Sequence, residues 1–164
     1  MFLRVPQYLA DLRSLPRRGL YWGPLGRWGE GANFNFIVGF CMTLSRDVVQ
    51  QFVSYKPLQR LVRLPYSKAR EADFLSLNME HEDVMVGRAL HEVKYPELTL
   101  VRESRCSFHD LRYGCRRRSL SDTSVVIHHI KSRDYMKLMR RFSNGTAATA
   151  REYRRLPRSL WFHC

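Results

Sequence analysis

The spacing of apolar positions changes several times along the chain, and each change predicts an element. Tyr8, Leu9, Leu12 and Leu15 recur at helical intervals, so residues 5–15 read as a helix. Pro6 suits its first turn and Pro16 stops it. Leu20-Tyr21-Trp22 reads as a short strand closed by Gly23-Pro24, and the glycine-rich segment 24–35 as a loop. Phe36 to Leu44 is a nearly continuous apolar run, the pattern of a strand buried on both faces. Val48, Val49, Phe52 and Val53 then return to helical spacing. Ser45 is placed as N-cap, with Asp47 favourable in the first turn.

Leu58, Leu61, Val62 and Leu64 give a short helix ended by Pro65; the polar residues 67–77 give no clear assignment. Val86, Ala89, Leu90 and Val93 fall at i, i+3, i+4 and i+7, one apolar helix face, with Asp83 as its natural N-cap. Tyr95-Pro96 breaks this helix and Leu98 to Val101 is a strand. Val125 to Lys131 is a β-branched strand, and residues 134–142 are a helix with Tyr135, Leu138, Met139 and Phe142 on one face. Residues 143–164 are basic and loosely patterned, a tail or a marginal helix. The pattern is α/β. It predicts that Phe36–Leu44 and Val125–Ile130 are neighbours in one sheet, with the helix after Asp83 packed on it.

Composition narrows the function classes. With 164 residues, 45% hydrophobic and 12% aromatic, the chain can bury a core. It has no apolar run near the ~20 residues of a membrane span, and Met1-Phe2-Leu3-Arg4 does not open a signal peptide. A net charge of +13 draws it to polyanions such as nucleic acid, phosphoglycans or anionic head groups. Arginine clusters at 116–118, 140–141 and 154–155, interleaved with Trp22, Trp28, Tyr113 and Trp161, make a nucleic-acid-binding module the rival reading, although no RNP, KH or zinc-finger signature is present. The four cysteines form no C-x-x-C pair, which argues against a zinc ribbon. Cys106 and Cys115 bracket a compact loop that a disulfide could close in an oxidising compartment. The spacing of Cys106, His109 and Cys115 matches no common zinc pattern.

Candidate chemistry concentrates where acidic residues do. Three of the fifteen, Glu80, Glu82 and Asp83, stand within four positions at the mouth of the 86–93 helix. One reading is a helix cap; the other is a carboxylate held at a pocket edge, ready to accept a proton. His128-His129 on a strand predicts rings on opposite faces, one buried and one exposed. Asn144-Gly145-Thr146 is a glycosylation acceptor if the chain is luminal.

Glu82-Asp83-Val84-Met85-Val86-Gly87 resembles the E-D-V-x-V-G motif of the family 31 β-1,3-glycosyltransferases, nearest to their kinetoplastid-type branch. Two further blocks resemble that family in order. Gly39, Phe40, Ser45 and Asp47 match its G-G-Y-x-x-S-x-D segment, with Val38 in place of one glycine and Phe40 in place of the tyrosine. Ile127-His128 and Lys131 match its V-H-x-x-K strand, with His129 the alternative to His128. The resemblance implies that residues 1–142 are the C-terminal part of a GT-A-type fold, a mixed sheet flanked by helices, with 143–164 a basic tail. It implies an inverting hexosyltransferase moving galactose or N-acetylglucosamine from UDP-Gal or UDP-GlcNAc to a glycan acceptor hydroxyl. By the same resemblance Asp83 is the general base, Gly39, Phe40 and Glu82 border the acceptor, His128 is a ligand of Mn2+ (or Mg2+), and Lys131 lies near the donor diphosphate. The family works on the luminal side of the Golgi membrane, held by an N-terminal anchor. Met1-Phe2 resembles the pair that follows the family's D-D-D metal motif, as Leu20 to Gly23 resembles its Y-x-G strand. The chain then begins just after the metal aspartates, and alone it would be inactive or a remnant.

Overall fold

The computed structural model describes residues 1–29, 34–112, 120–143 and 148–163. Cys115, the arginines at 116–118, Tyr113, the acceptor Asn144-Gly145-Thr146 and Cys164 lie outside the described residues. In chain order the elements are β1 (Phe2–Leu3), α1 (Val5–Ser14), β2 (Leu20–Trp28), β3 (Phe34–Ile37), β4 (Thr43–Leu44), α2 (Arg46–Val53), α3 (Lys56–Val62), a 3-10 turn (Lys68–Arg70), α4 (Glu71–Ser76), α5 (Glu82–Val93), β5 (Thr99–Glu103), β6 (Phe108–Asp110), β7 (Val126–His128), α6 (Ser132–Phe142), β8 (Arg154–Leu156) and β9 (Ser159–Phe162). The fold is mixed α/β, with sheets flanked by helices. Among the described residues no helix is long and apolar enough to cross a membrane.

The chain forms two compact units, Met1–Pro16 with Val101–Cys164, and Arg17–Leu100. In the second unit β2 pairs antiparallel with β3 and with β4. The apolar face predicted for the 86–93 helix is real: Val86, Ala89 and Leu90 of α5 are buried, and Val86 and Leu90 pack with Tyr21, Ile37 and Val48. Gly87 explains itself by packing, because a Cβ there would lie 2.3 Å from Phe36 Cβ, so α5 could not sit as close on β3 with any larger residue. Phe34, Phe36 and Val84 form a neighbouring cluster, and Leu58, Leu61 and Leu77 a third.

Two local predictions fail here. The strand expected over Phe36–Leu44 stops at Ile37 and resumes only at Thr43, because the chain turns at Gly39-Phe40. The loop expected at 24–35 instead begins as strand: β2 continues through Gly23 and Pro24 to Trp28, with Arg27 opposite Asn35 and Trp28 opposite Phe34. Cross-strand pairing with aromatic residues on β3 outweighs the local breaker signal.

The start of α2 shows how polar groups lock this unit. Ser45 is the N-cap residue, as the sequence predicts, but its side chain makes no cap hydrogen bond. Its Oγ accepts the Leu20 N–H at 2.9 Å instead. Asp47 Oδ2 accepts both the Gly19 N–H (2.8 Å) and the Tyr95 hydroxyl (2.9 Å). Gly19 itself needs a left-handed backbone, φ 68°, beside the Glu97 carbonyl. Partial burial pushes the Asp47 carboxyl up, but the Ser45, Gly19 and Tyr95 hydrogen bonds outweigh it and hold the pKa at about 2. A folded pKa below the unfolded value contributes stability that is present above the unfolded pKa and lost as pH falls through the folded one. Asp47→Asn should therefore destabilise this unit by about 1–2 kcal/mol at neutral pH, the difference between charged and neutral acceptors. In urea titrations the gap between variant and parent should close as pH falls from the ordinary value of 3.8 toward about 2. A gap independent of pH would show that the Asp47 charge is not the cause.

In the first unit β7 is the centre of a mixed sheet ordered β1-β7-β6, antiparallel to β1 and parallel to β6. Phe2 is opposite Ile127, and both pack with Leu138 of α6. β7 and β3 thus belong to different sheets, which overturns the expectation that the two apolar runs are neighbours. Residues 143–164 are not a loose tail where described: β8 and β9 pair antiparallel, β9 joins β5, and Leu160 and Phe162 are buried.

That hairpin is fastened by a charge cluster. Arg151 donates from its backbone N–H to Asp11 Oδ1 and from Nε to Asp11 Oδ2, both at 2.8 Å. Its Nη1 and Nη2 reach Glu103 Oε2 and Oε1 at 3.2 and 2.8 Å. Both carboxylate side chains are 0% exposed. The face of α1 turned inward therefore carries Gln7 and Asp11, while Leu9, expected on the apolar face, is exposed.

Candidate functional sites

Asp83 sits in the first turn of α5 but is not its cap; that position is His81, which makes no side-chain cap bond. The two Asp83 oxygens are used separately: Oδ1 accepts the Val84 N–H and Oδ2 the Gly39 N–H, each at 2.9 Å. The break in the apolar run is what makes this possible, since the turn at Gly39 aims its amide at α5. Two blocks 44 residues apart in sequence are therefore one local structure. Glu82 precedes Asp83 in the same turn and is exposed, and Phe40 follows Gly39 and is half-buried. The arrangement offers a half-buried carboxylate fixed by two amides, each oxygen retaining a further lone pair. It can accept a hydrogen bond, or a proton, from a hydroxyl brought to it.

His128 and His129 form a second centre, in the first unit. The strand ends at His128, and His129 adopts a left-handed backbone, φ 53°. That twist cancels the alternation of side chains, so the rings do not point to opposite faces as the strand pattern predicts. Their centroids are 3.8 Å apart. Both face Asp110 at the end of the parallel strand β6, where Asp110 pairs with His128. His129 Nδ1 is 2.7 Å and His128 Nδ1 3.8 Å from the two Asp110 oxygens. Burial and then the His129 neighbour push the His128 pKa below its usual value, more than Asp110 raises it. Burial pushes the Asp110 carboxyl up, but the His129 hydrogen bond, the Arg112 amide and the two imidazoles bring it below the carboxylate range. One ligand atom from each of the three residues lies within 4.8 Å of the others.

Asp110 has no signal of its own in the sequence. It lies in a short segment with no period, and only the β6–β7 register brings it to the histidines. Lys131 stands at the N-cap of α6 and lines, with Met1, Ile130, Ser132, Tyr135 and Met136, an open cleft of about 430 Å³. Of the cysteine loop's described residues, Cys106 is disulfide-bonded, and His109 is fully buried with Nε2 2.8 Å from Ser124 Oγ. Cys41 is half-buried and not disulfide-bonded.

No family model, characterised protein or solved structure matches this chain.

Proposed function

We propose that the chain is part of an inverting, UDP-sugar-dependent hexosyltransferase, with Asp83 as its general base. The observation that carries this reading is the Asp83 carboxylate on the Gly39 amide, because it joins two sequence blocks that the resemblance assigns to one acceptor pocket. The shared sheet expected of these two strands is absent, and β3 and β7 fall in different compact units, so the reading rests on this local convergence and not on the sheet order.

In the proposed reaction an acceptor hydroxyl oxygen attacks the anomeric carbon from the face opposite UDP. The proton passes to Asp83, the bond from carbon to the diphosphate oxygen breaks, and UDP leaves with the electron pair. Gly39, Phe40 and Glu82 border the acceptor. His128 would hold Mn2+, whose chemistry is to neutralise the diphosphate, and Lys131, on its open cleft, would add a positive charge there. A neutral imidazole is an acceptable manganese ligand beside carboxylates, and Asp110 sets one carboxylate oxygen 3.8 Å from His128 Nδ1. A disulfide at Cys106 agrees with an oxidising, luminal setting.

The test is Mn2+-dependent release of UDP from UDP-Gal and UDP-GlcNAc with glycan acceptors. It compares the 164-residue chain with a protein carrying a D-D-D half upstream in frame. Transfer is expected only from the longer protein. Absence of transfer from both, with salt-sensitive retention of single-stranded RNA, would replace the transferase by the nucleic-acid-binding reading.

A further inference from the structure

The geometry points to a metal site made entirely by this chain, with Asp110, His128 and His129 as its three ligands and a borderline transition ion of the Zn2+ class as its occupant. The inference shares His128 with the transferase reading but does not rest on it, since it needs neither a sugar nucleotide nor upstream aspartates. It also changes an expectation from the sequence, in which His128 was the sole metal-binding group of the chain.

Three features carry it. The first is convergence: one nitrogen of each ring and a carboxylate oxygen lie within 4.8 Å of one another. Donors about 2.0–2.2 Å from a common zinc ion are necessarily that close or closer, so small side-chain rotations suffice. The second is the backbone of His129. A left-handed conformation is uncommon for any residue but glycine, and here it turns the second ring onto the same carboxylate as the first. An ordinary strand residue at 129 would point away. The third is the support beneath the ligands. Asp110 and His128 are cross-strand partners on β6 and β7, whose neighbours Val126 and Ile127 are almost wholly buried, so two ligands sit on rigid elements.

The donor set selects the ion. Two imidazoles and one carboxylate suit zinc, cobalt or nickel, whereas Mg2+ prefers oxygen ligands throughout. The side chains of all three residues are partly exposed, between 21% and 33%, so an ion could enter. Three protein ligands leave at least one coordination position open. That is the arrangement of a reactive or ligand-binding zinc and not of a structural one.

The experiment is calorimetric titration of the metal-stripped 164-residue chain with Zn2+, and optical titration with Co2+. We expect one ion per chain, Co2+ bands without thiolate charge transfer, and no displacement of Zn2+ by equimolar Mg2+. Asp110→Ala and His129→Gly should each weaken binding by more than the roughly 10–100-fold that loss of an outer-shell partner costs. His129→Gly is the decisive variant, because glycine accepts the left-handed backbone freely and the fold is not put at risk. Far-UV dichroism of each variant confirms the fold. Zn2+ binding unchanged in His129→Gly would overturn the site, as would a thiolate band abolished by Cys41→Ser, or no saturable binding at all. Because no activity is read, failure here leaves the transferase proposal standing, and the reverse.

Discussion

Asp83→Asn should lower transferase turnover by about 10²–10⁴-fold in the protein that carries the D-D-D half, the range for loss of a general base. The structure sharpens this experiment. Asparagine caps a helix nearly as well as aspartate, so it would be almost neutral if Asp83 were only a cap. Asp83, however, is not a cap residue; its two oxygens receive two different amides, from Val84 and Gly39. An asparagine keeps one oxygen and turns its NH2 group on the other amide. One hydrogen bond is then lost, at a cost of about 1–2 kcal/mol. Both effects are measurable and they separate. A clamp alone predicts lower thermal stability with turnover restored when the assay is cooled. A base predicts lost turnover at every temperature where the variant is folded. Near-normal turnover in folded Asp83→Asn would leave Asp83 a structural link between the turn at Gly39 and α5.

Asp11→Ala should cost about 3–5 kcal/mol, the usual penalty for removing one partner from a buried ionic cluster. That is a fifth or more of the stability of an ordinary domain, and it should lower the melting temperature by roughly 6–20 °C. The reason is specific. Asp11 takes the Arg151 backbone N–H and Nε together, and the Gln7 amide at 3.1 Å besides, with no exposure to water. Alanine would leave those donors buried without acceptors. Arg151→Met should be worse, because it strands the Asp11 and Glu103 carboxylates side by side. Arg151→Lys should fall between, since an ammonium keeps the charge but cannot serve both carboxylates with a planar fork. An Asp11→Ala chain with the parent's melting temperature would mean that the cluster is dispensable.

Local period carried the helices well. Pro6 and the spacing of Leu12 and Leu15 bounded α1, and Val86 to Leu90 named the buried face of α5, because helical packing repeats within a few residues. What period could not carry was partnership. Phe36–Leu44 looked like one strand since all its residues are apolar, yet Gly39-Phe40 turns to meet Asp83. Asp11 looked isolated because its partner is Arg151, 140 positions along the chain. The C-terminal residues looked like a tail because arginine reads as surface, although Arg151 is used inside. At the candidate sites the sequence offered Asp83, Gly39 and His128. It hid Asp110, and it misjudged His129, whose backbone leaves the strand.

The grip of Arg151 on Asp11 also orders events during synthesis. The unit 17–100 is continuous in the chain and can close once α5 and the few residues after it have emerged. The other unit is split, and its contact between residues 11 and 151 spans 140 positions. Until Arg151 leaves the ribosome, the Asp11 and Glu103 carboxylates both lack its guanidinium. This half of the molecule must wait until Arg151 has been made, and long-range closure of that kind is slow. A nascent chain stopped short of Arg151 would present one finished unit and one still open to chaperones and proteases.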